Sequence, residues 1–300
     1  MQAEPLIDWA DVGRQLLSFL AVFATAGAVG FRYSALRARF AAAVPAEEPD
    51  IYLDAARRAA WIGVAGAVVR AVLFVVGLQE TAARRGVSVG EAFRAGGIGQ
   101  LLQVVALALL VTGFLLALRR MNAGWAMAAV GLALSALRGL ATGNVASIVN
   151  PVHMLAAGLW IGTLAVLVFV GIATTYAHGV TGEQRGRVVA DMVNAFSPLA
   201  LGSALVLVTF GVITAVRHLK YWAALWTTPY GQMFLVKLAL VLTVVALGAW
   251  NWRRVRPTLG EDAGAAAIRR SARLELAVAA LVLLVTAIVV NLPAPKLPGG

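Results

Sequence analysis

The stretch Ile98-Gly99-Gln100-Leu101-Leu102-Gln103-Val104-Val105-Ala106-Leu107-Ala108-Leu109-Leu110-Val111-Thr112-Gly113-Phe114-Leu115-Leu116-Ala117-Leu118 carries no charge and is closed by Arg119-Arg120. As a helix it covers the roughly 30 Å hydrocarbon core of a bilayer. Runs of the same kind recur at residues 12–31, 57–78, 122–142, 151–173, 195–216, 230–251 and 272–291. They are too long and too continuous for the alternating strands of about ten residues that build a membrane barrel. Lipid offers the backbone no hydrogen-bond partner, so a spanning chain satisfies itself as helices or as a closed barrel. The sequence therefore predicts an all-α fold, a polytopic transmembrane helical bundle of about eight transmembrane helices.

Composition agrees with that reading. The chain is 61% hydrophobic and 13% charged, where soluble domains carry about 25% charge, and its mean hydropathy is +0.84. The separators between runs hold turn and charge signals, such as Pro45-Ala46-Glu47-Glu48-Pro49-Asp50, Asn150-Pro151 and Arg253-Arg254-Val255-Arg256-Pro257. None is long enough for an independent soluble domain. We divide the chain into an N-terminal four-helix membrane half, residues 1–148, and a C-terminal four-helix membrane half, residues 149–300. The first run reads as a retained span, since Glu4, Asp8 and Asp11 stand where a cleavable leader has its basic residues. The tail from Leu292 to Gly300 reads as extended.

An even number of spans returns both termini to one side. That side holds seven basic residues and the opposite side fifteen, with Arg70, Arg138 and Lys237 inside the spans. The positive-inside rule then puts both termini of this multi-pass protein outside the cytoplasm. The net charge of +11 is accounted for by these loops and by anionic membrane lipids as partners. Nucleic acid is excluded as a partner, because no basic soluble domain or aromatic platform exists.

With no cysteine in the chain, thiolate metal sites and disulfides are ruled out, and His, Met and carboxylate are left as ligands. His153 opens the fifth run in Asn150-Pro151-Val152-His153-Met154, and His218 closes the sixth. In the topology above both lie at the outer boundary, together with Met154, Tyr230 and Met233. Two imidazoles with thioethers nearby suit a soft cation such as copper(I), and neutral ligands let it move on. The competing reading of His153 is an interfacial histidine bonded to a carbonyl or a headgroup; that of Met154 and Met233 is gap filling; that of His218 is a solvated loop residue. Lys237, one helical turn after Met233, sets a positive charge against a cation there. Below His153 the helical face continues to Trp160, and Gly158 with Gly162 forms a ridge for close helix packing. His178 reads as a loop residue without ligand neighbours. Glu275 is flanked by Arg269, Arg270 and Arg273, and reads either as ion-paired there or as an exit ligand for a cation. No Walker motif, H-E-x-x-H or serine-nucleophile elbow occurs, so ATP-driven pumping and these hydrolytic chemistries are not indicated.

Several of these stretches together resemble the copper-resistance D (CopD) family of bacterial inner-membrane proteins. They are His153-Met154-Leu155-Ala156-Ala157-Gly158-Leu159-Trp160-Ile161-Gly162, Thr228-Pro229-Tyr230-Gly231-Gln232 leading to Lys237-Leu238-Ala239-Leu240, Asn251-Trp252-Arg253-Arg254, and Arg270-Ser271-Ala272-Arg273-Leu274-Glu275. They follow one another across roughly residues 150–295. The resemblance implies copper tolerance and copper uptake from the periplasm, with His153 at an outer entry site and a separate CopC-like periplasmic copper carrier as partner. His218 and the methionines come from the topology, not from the family pattern. Two other functions fit the same residues. As a rival reading, His153 and His218 are axial ligands of one b-type haem in electron transfer, or the chain is a copper-delivery or assembly partner that transports nothing.

The orientation is testable directly. Reporter fusions at Gly300 and within the Arg253–Arg273 loop are expected to report opposite sides of the membrane, with Gly300 periplasmic. A cytoplasmic reporter at Gly300 overturns that placement.

Overall fold

A computed structural model describes residues 7–37, 51–142, 145–218, 221–255, 260–293 and 295. The side chain of His218, the 45–50 separator and the tail from Lys296 lie outside the described residues. The fold is all-helical, 90% helix, without strands among the described residues. In chain order the helices are α1 (Trp9–Tyr33), α2 (Ile51–Arg85), α3 (Val89–Ala95), α4 (Gly97–Leu118), α5 (Asn122–Leu137), α6 (Val149–Ala177), α7 (Gly182–His218), α8 (Ala224–Thr227), α9 (Pro229–Trp250) and α10 (Asp262–Asn291). Eight of them are long and apolar enough to cross a membrane, as the sequence predicts.

Several helices outrun their apolar stretches. The sixth run is expected over 195–216 after an inner loop of some twenty residues; instead α7 starts at Gly182 and the connection from α6 shrinks to four residues, 178–181. The polar segment stays helical because its charges pair along the helix, Arg187 with Glu183 at 2.9 Å. Arg185 is tied to Asp262 at 2.8 Å. At the start of α2 the same logic holds: Arg58 pairs with Asp54 at 2.9 Å, and His178 Nε2 meets the same carboxylate at 3.1 Å. His178 thus has a partner that its sequence neighbourhood did not reveal. The fourth run ends differently too. Its α-helix stops at Leu137 and tightens into a 3₁₀ turn, Arg138–Thr142.

Local chemistry explains the ends. Ser88 caps α3 by accepting from the Glu91 N–H, and the Glu91 carboxylate accepts from the Ser88 N–H and hydroxyl, which holds that carboxyl below its usual range. Thr228 accepts from the Gly231 N–H at 3.1 Å, and Pro229 occupies the first turn of α9. A Cβ on Gly231 would overlap the backbone of Ala224 and Leu225 in α8. The Thr-Pro-x-Gly motif is therefore a capped start packed against the preceding turn.

Chain contacts define two units, one of residues 20–179 with 191–210, the other of residues 1–19, 180–190 and 211–300. In the first, α6 is central: 67% of its apolar window is buried, against 6% for α7. It is also irregular, with π-helical turns at Gly158–Gly162 and Leu167–Ile172. Gly158 and Gly162 face Phe23, Ala26 and Gly27 of α1, and a Cβ on Gly27 or Gly162 would overlap the other helix's backbone. In the second unit, α9 packs on α10.

Because that approach is backbone to backbone, no side chain can give way. Gly27→Val is expected to destabilise the protein by about 1–3 kcal/mol, read as a lowered thermal midpoint in detergent. Gly77→Ala, where a Cβ meets nothing within 4 Å, is the control and is expected to leave the midpoint unchanged or slightly raised. Equal midpoints for the two variants refute the close approach.

Candidate functional site

Pro151 starts α6 without needing a donor in its first turn, which sets His153 one turn inside the helix, half-buried. Its Nδ1 lies 3.1 Å from the Leu207 carbonyl oxygen of α7. A carbonyl only accepts, so Nδ1 carries the proton and donates, and in the neutral ring the lone pair is left on Nε2. This is the arrangement found at metal-ligating histidines, whose second nitrogen is oriented by a carbonyl or carboxylate. The carbonyl bond that a plain interfacial histidine makes and the ligand role are here compatible. The two helices are neighbours, and between them runs an apolar groove of about 350 Å³ lined by Val152, Leu155, Ala156 and Leu159 from α6 and by Pro198, Leu199, Gly202, Ser203 and Val206 from α7. Small residues on both walls, Ala156 opposite Gly202, and the proline inside α7 leave this space.

His218 is the last residue of the same α7, eleven positions beyond Leu207. At 1.5 Å rise per residue that is about 16 Å further along the helix axis. The structure brings His153 to a carbonyl of α7, while the His218 side chain lies outside the described residues. Met154 follows His153 and is half-buried, and Trp160 is buried within the first π turn. On α9, Tyr230 stacks on Phe234 with 6.5 Å between ring centroids, while Met233 and Lys237 are half-buried one turn apart. Among the described residues no group of three or more His, Cys, Asp or Glu side chains is placed to hold a metal ion.

Glu275 departs from the ion-paired expectation. It is 4% exposed, and its Oε2 accepts from the Asn251 amide at 3.1 Å rather than from an arginine. Asn251, 7% exposed, in turn accepts from the Ser271 hydroxyl through Oδ1. A second polar cluster was not foreseen. Arg70, mid-way along α2, donates through Nη1 to Thr25 Oγ1 at 3.2 Å and through Nη2 to Ser135 Oγ at 2.9 Å. Its sequence signal was a charge inside an apolar run, which in a membrane marks a residue with a buried task.

The helices define a multi-pass membrane protein with few buried polar residues. Residues 190–289 match the family model described as Copper resistance protein D, which bears out the CopD resemblance drawn from the sequence. The chain is also 28% identical over 159 residues, 52% of its own length and 27% of the other's, to the copper transport protein CutJ of Bacillus subtilis (strain 168). The matched stretch thus covers little more than a quarter of that relative. No solved structure matches the chain. The family segment contains Tyr230, Met233, Lys237, Asn251 and Glu275, and begins downstream of His153.

The roles of the two imidazole nitrogens can be separated. His153→Asn keeps a donor near the Nδ1 position but removes Nε2, and is expected to weaken copper binding by about 10-fold or more, as His153→Ala does, while retaining the thermal midpoint of the parent. His153→Gln, which reaches toward the Nε2 position but gives up the bond to Leu207, is expected to lower the midpoint. Unchanged copper affinity in His153→Asn sinks the ligand role.

Proposed function

We propose that this chain moves copper ions across a bacterial inner membrane, from periplasm to cytoplasm, as a binding-and-transport protein without a catalytic step. The observation that carries this reading is the copper resistance protein D match on a chain with eight helices able to cross a membrane. The likeness to a protein named for copper transport supports it. Residues 149–300 are the copper-handling half. Residues 1–148 are its scaffold, supported by the close seat of α1 against α6 at Gly27 and Gly162.

In this reading the basic-residue bias places the start of α6 outside, so copper arrives at His153 from a separate periplasmic carrier of the CopC kind. One oriented imidazole Nε2, with the Met154 thioether beside it in sequence, is a weak, neutral ligand set for a soft ion. Weakness suits passage: a transit site must release what it captures. His218 and Met233 extend the same ligand chemistry at the ends of α7 and α9. Lys237, two turns into α9, places a fixed cation where a passing ion is repelled onward rather than held.

Purified protein in proteoliposomes is expected to accumulate copper, and His153→Ala to lower the uptake rate by about 10-fold. Copper binding without uptake by the parent protein would favour the delivery or assembly role. A Soret band in the purified protein would favour the haem reading.

A further inference from the structure

Among the described residues no Asp or Glu other than Glu275 is buried. Ser271 and Glu275 are four residues apart on α10, so they share one helical face, and that face meets Asn251 where α9 passes into a π-helical turn, Asn251–Val255. Such turns displace the helical register and are frequent at functional positions. The hydrogen bonds run in one direction, from the Ser271 hydroxyl to Asn251 Oδ1 and from Asn251 Nδ2 to Glu275 Oε2. Oε2 is therefore an acceptor, and a proton on this carboxyl resides on Oε1. Oε1 faces Gly248: a Cβ built there stands 3.5 Å away.

No Lys or Arg among the described residues is ion-paired with Glu275. On α10, Arg270 and Arg273 are exposed, Arg269 is half-buried, and Asp262 lies three turns earlier. On the π turn Arg253 and Arg254 are exposed, the latter over the Trp250 ring at 5.6 Å. Lys237 and Tyr230 lie on α9 at least fourteen residues before Asn251, about 21 Å or more along the axis. A carboxylate buried in a membrane without a cation is costly, and intramembrane acids commonly serve as proton relays. The donor set is carboxylate, amide and hydroxyl, all hard oxygen and amide chemistry, which does not suit copper(I).

We propose that Glu275, held by Asn251 and Ser271, is a proton-exchange site at the end of the α9–α10 pair that carries the loop joining them. Its use rests on the copper-transport reading. With no cation near, the O–H bond at Oε1 is intact. As a monovalent cation reaches this end of the pair, that bond breaks heterolytically, the proton passes to water at the loop, and the carboxylate offsets the cation's charge. The bond re-forms when the cation leaves. Asn251 is a positioning residue that keeps the exchanging oxygen at Oε1.

Infrared difference spectra of the full-length protein in lipid, titrated over about pH 5–9, test the site without copper. We expect a carboxylic-acid carbonyl band that appears as the pH falls, is absent in Glu275→Gln, and shifts in Asn251→Leu, which removes the hydrogen bond to Oε2. An unchanged band in Glu275→Gln overturns the proposal. Should Glu275→Gln fail to assemble, Gly248→Ala decides, since its methyl covers Oε1 at ordinary contact distance. A shifted band supports the site, and an unshifted one overturns it. Vesicles in which the parent protein takes up no copper sink the transport reading and leave the infrared result to judge the exchange site.

Discussion

Water is absent from the middle of a bilayer, and from that constraint most of this molecule follows. Every backbone N–H and C=O in a lipid-facing segment must be bonded within its own helix, which is why 90% of the described chain is helical. Several hydroxyl side chains obey the same rule. Thr112, Thr243 and Thr286 each turn their hydroxyl back to the carbonyl four residues earlier, and Ser197 does the same within α7. These residues sit in apolar helices at little cost because they bring their own acceptor. With hydrophobic burial weak as a driving force between helices in lipid, association depends on close contact instead. The glycine-to-glycine seat of α1 on α6 is the clearest case, and it explains why two glycines fall in otherwise bulky apolar runs.

Against this background the exceptions are informative. α6 abandons regular α geometry twice, at Gly158–Gly162 and Leu167–Ile172. Each π turn widens the helix and shifts the register of the residues after it, so the face that starts at His153 is not the one a uniform 3.6-residue repeat predicts for Trp160. The other exceptions are charges. Arg70 is held by two hydroxyls from different helices, α1 and α5, and so fastens three elements at one point. A guanidinium suits that task because its N–H groups spread in a plane. Among the described residues Glu275 has a single amide donor, to Oε2, and Oε1 has no hydrogen-bond partner, the opposite arrangement. The first satisfies its polar group and fixes structure; the second stays chemically open.

The architecture was legible because hydropathy reports the constraint directly: eight apolar runs of bilayer length became eight helices. Helix ends were less legible. Hydropathy stops where lipid stops, whereas α7 and α10 continue into polar sequence through pairs such as Arg187–Glu183 and Arg185–Asp262. The sites were legible only by residue type. His153 stood out as an imidazole in an apolar segment, but its partner is the Leu207 carbonyl, and a backbone carbonyl has no sequence signature. The expectation that His153 meets His218 rests on matching span ends, which carry no signal for the carbonyl that His153 reaches. For Glu275 the flanking arginines pointed to an ion pair. Helical geometry decides otherwise, since Arg270 and Arg273 are turned to the exposed side while Ser271 shares the buried face. Asn251, twenty-four residues away, has no role legible in the sequence, because its task appears only once α9 and α10 are packed.

In the proposed copper-transport reading, the two polar centres differ in ligand softness. Imidazole and thioether at the head of α6 suit a polarisable cation and repel none of its charge. The carboxyl, amide and hydroxyl between α9 and α10 suit a proton. A transporter that used one kind of ligand throughout would bind its ion most tightly where it should let go. Soft neutral ligands at entry and a hard, protonatable group elsewhere avoid that trap, because the second centre answers the ion's charge rather than its coordination preference. Charge compensation is needed wherever a cation crosses a medium of low polarity, and a group that gains and loses a proton supplies it without holding the metal. In that reading the scarcity of metal ligands, with three histidines and no cysteine, favours release, since each added ligand deepens the well from which an ion must escape.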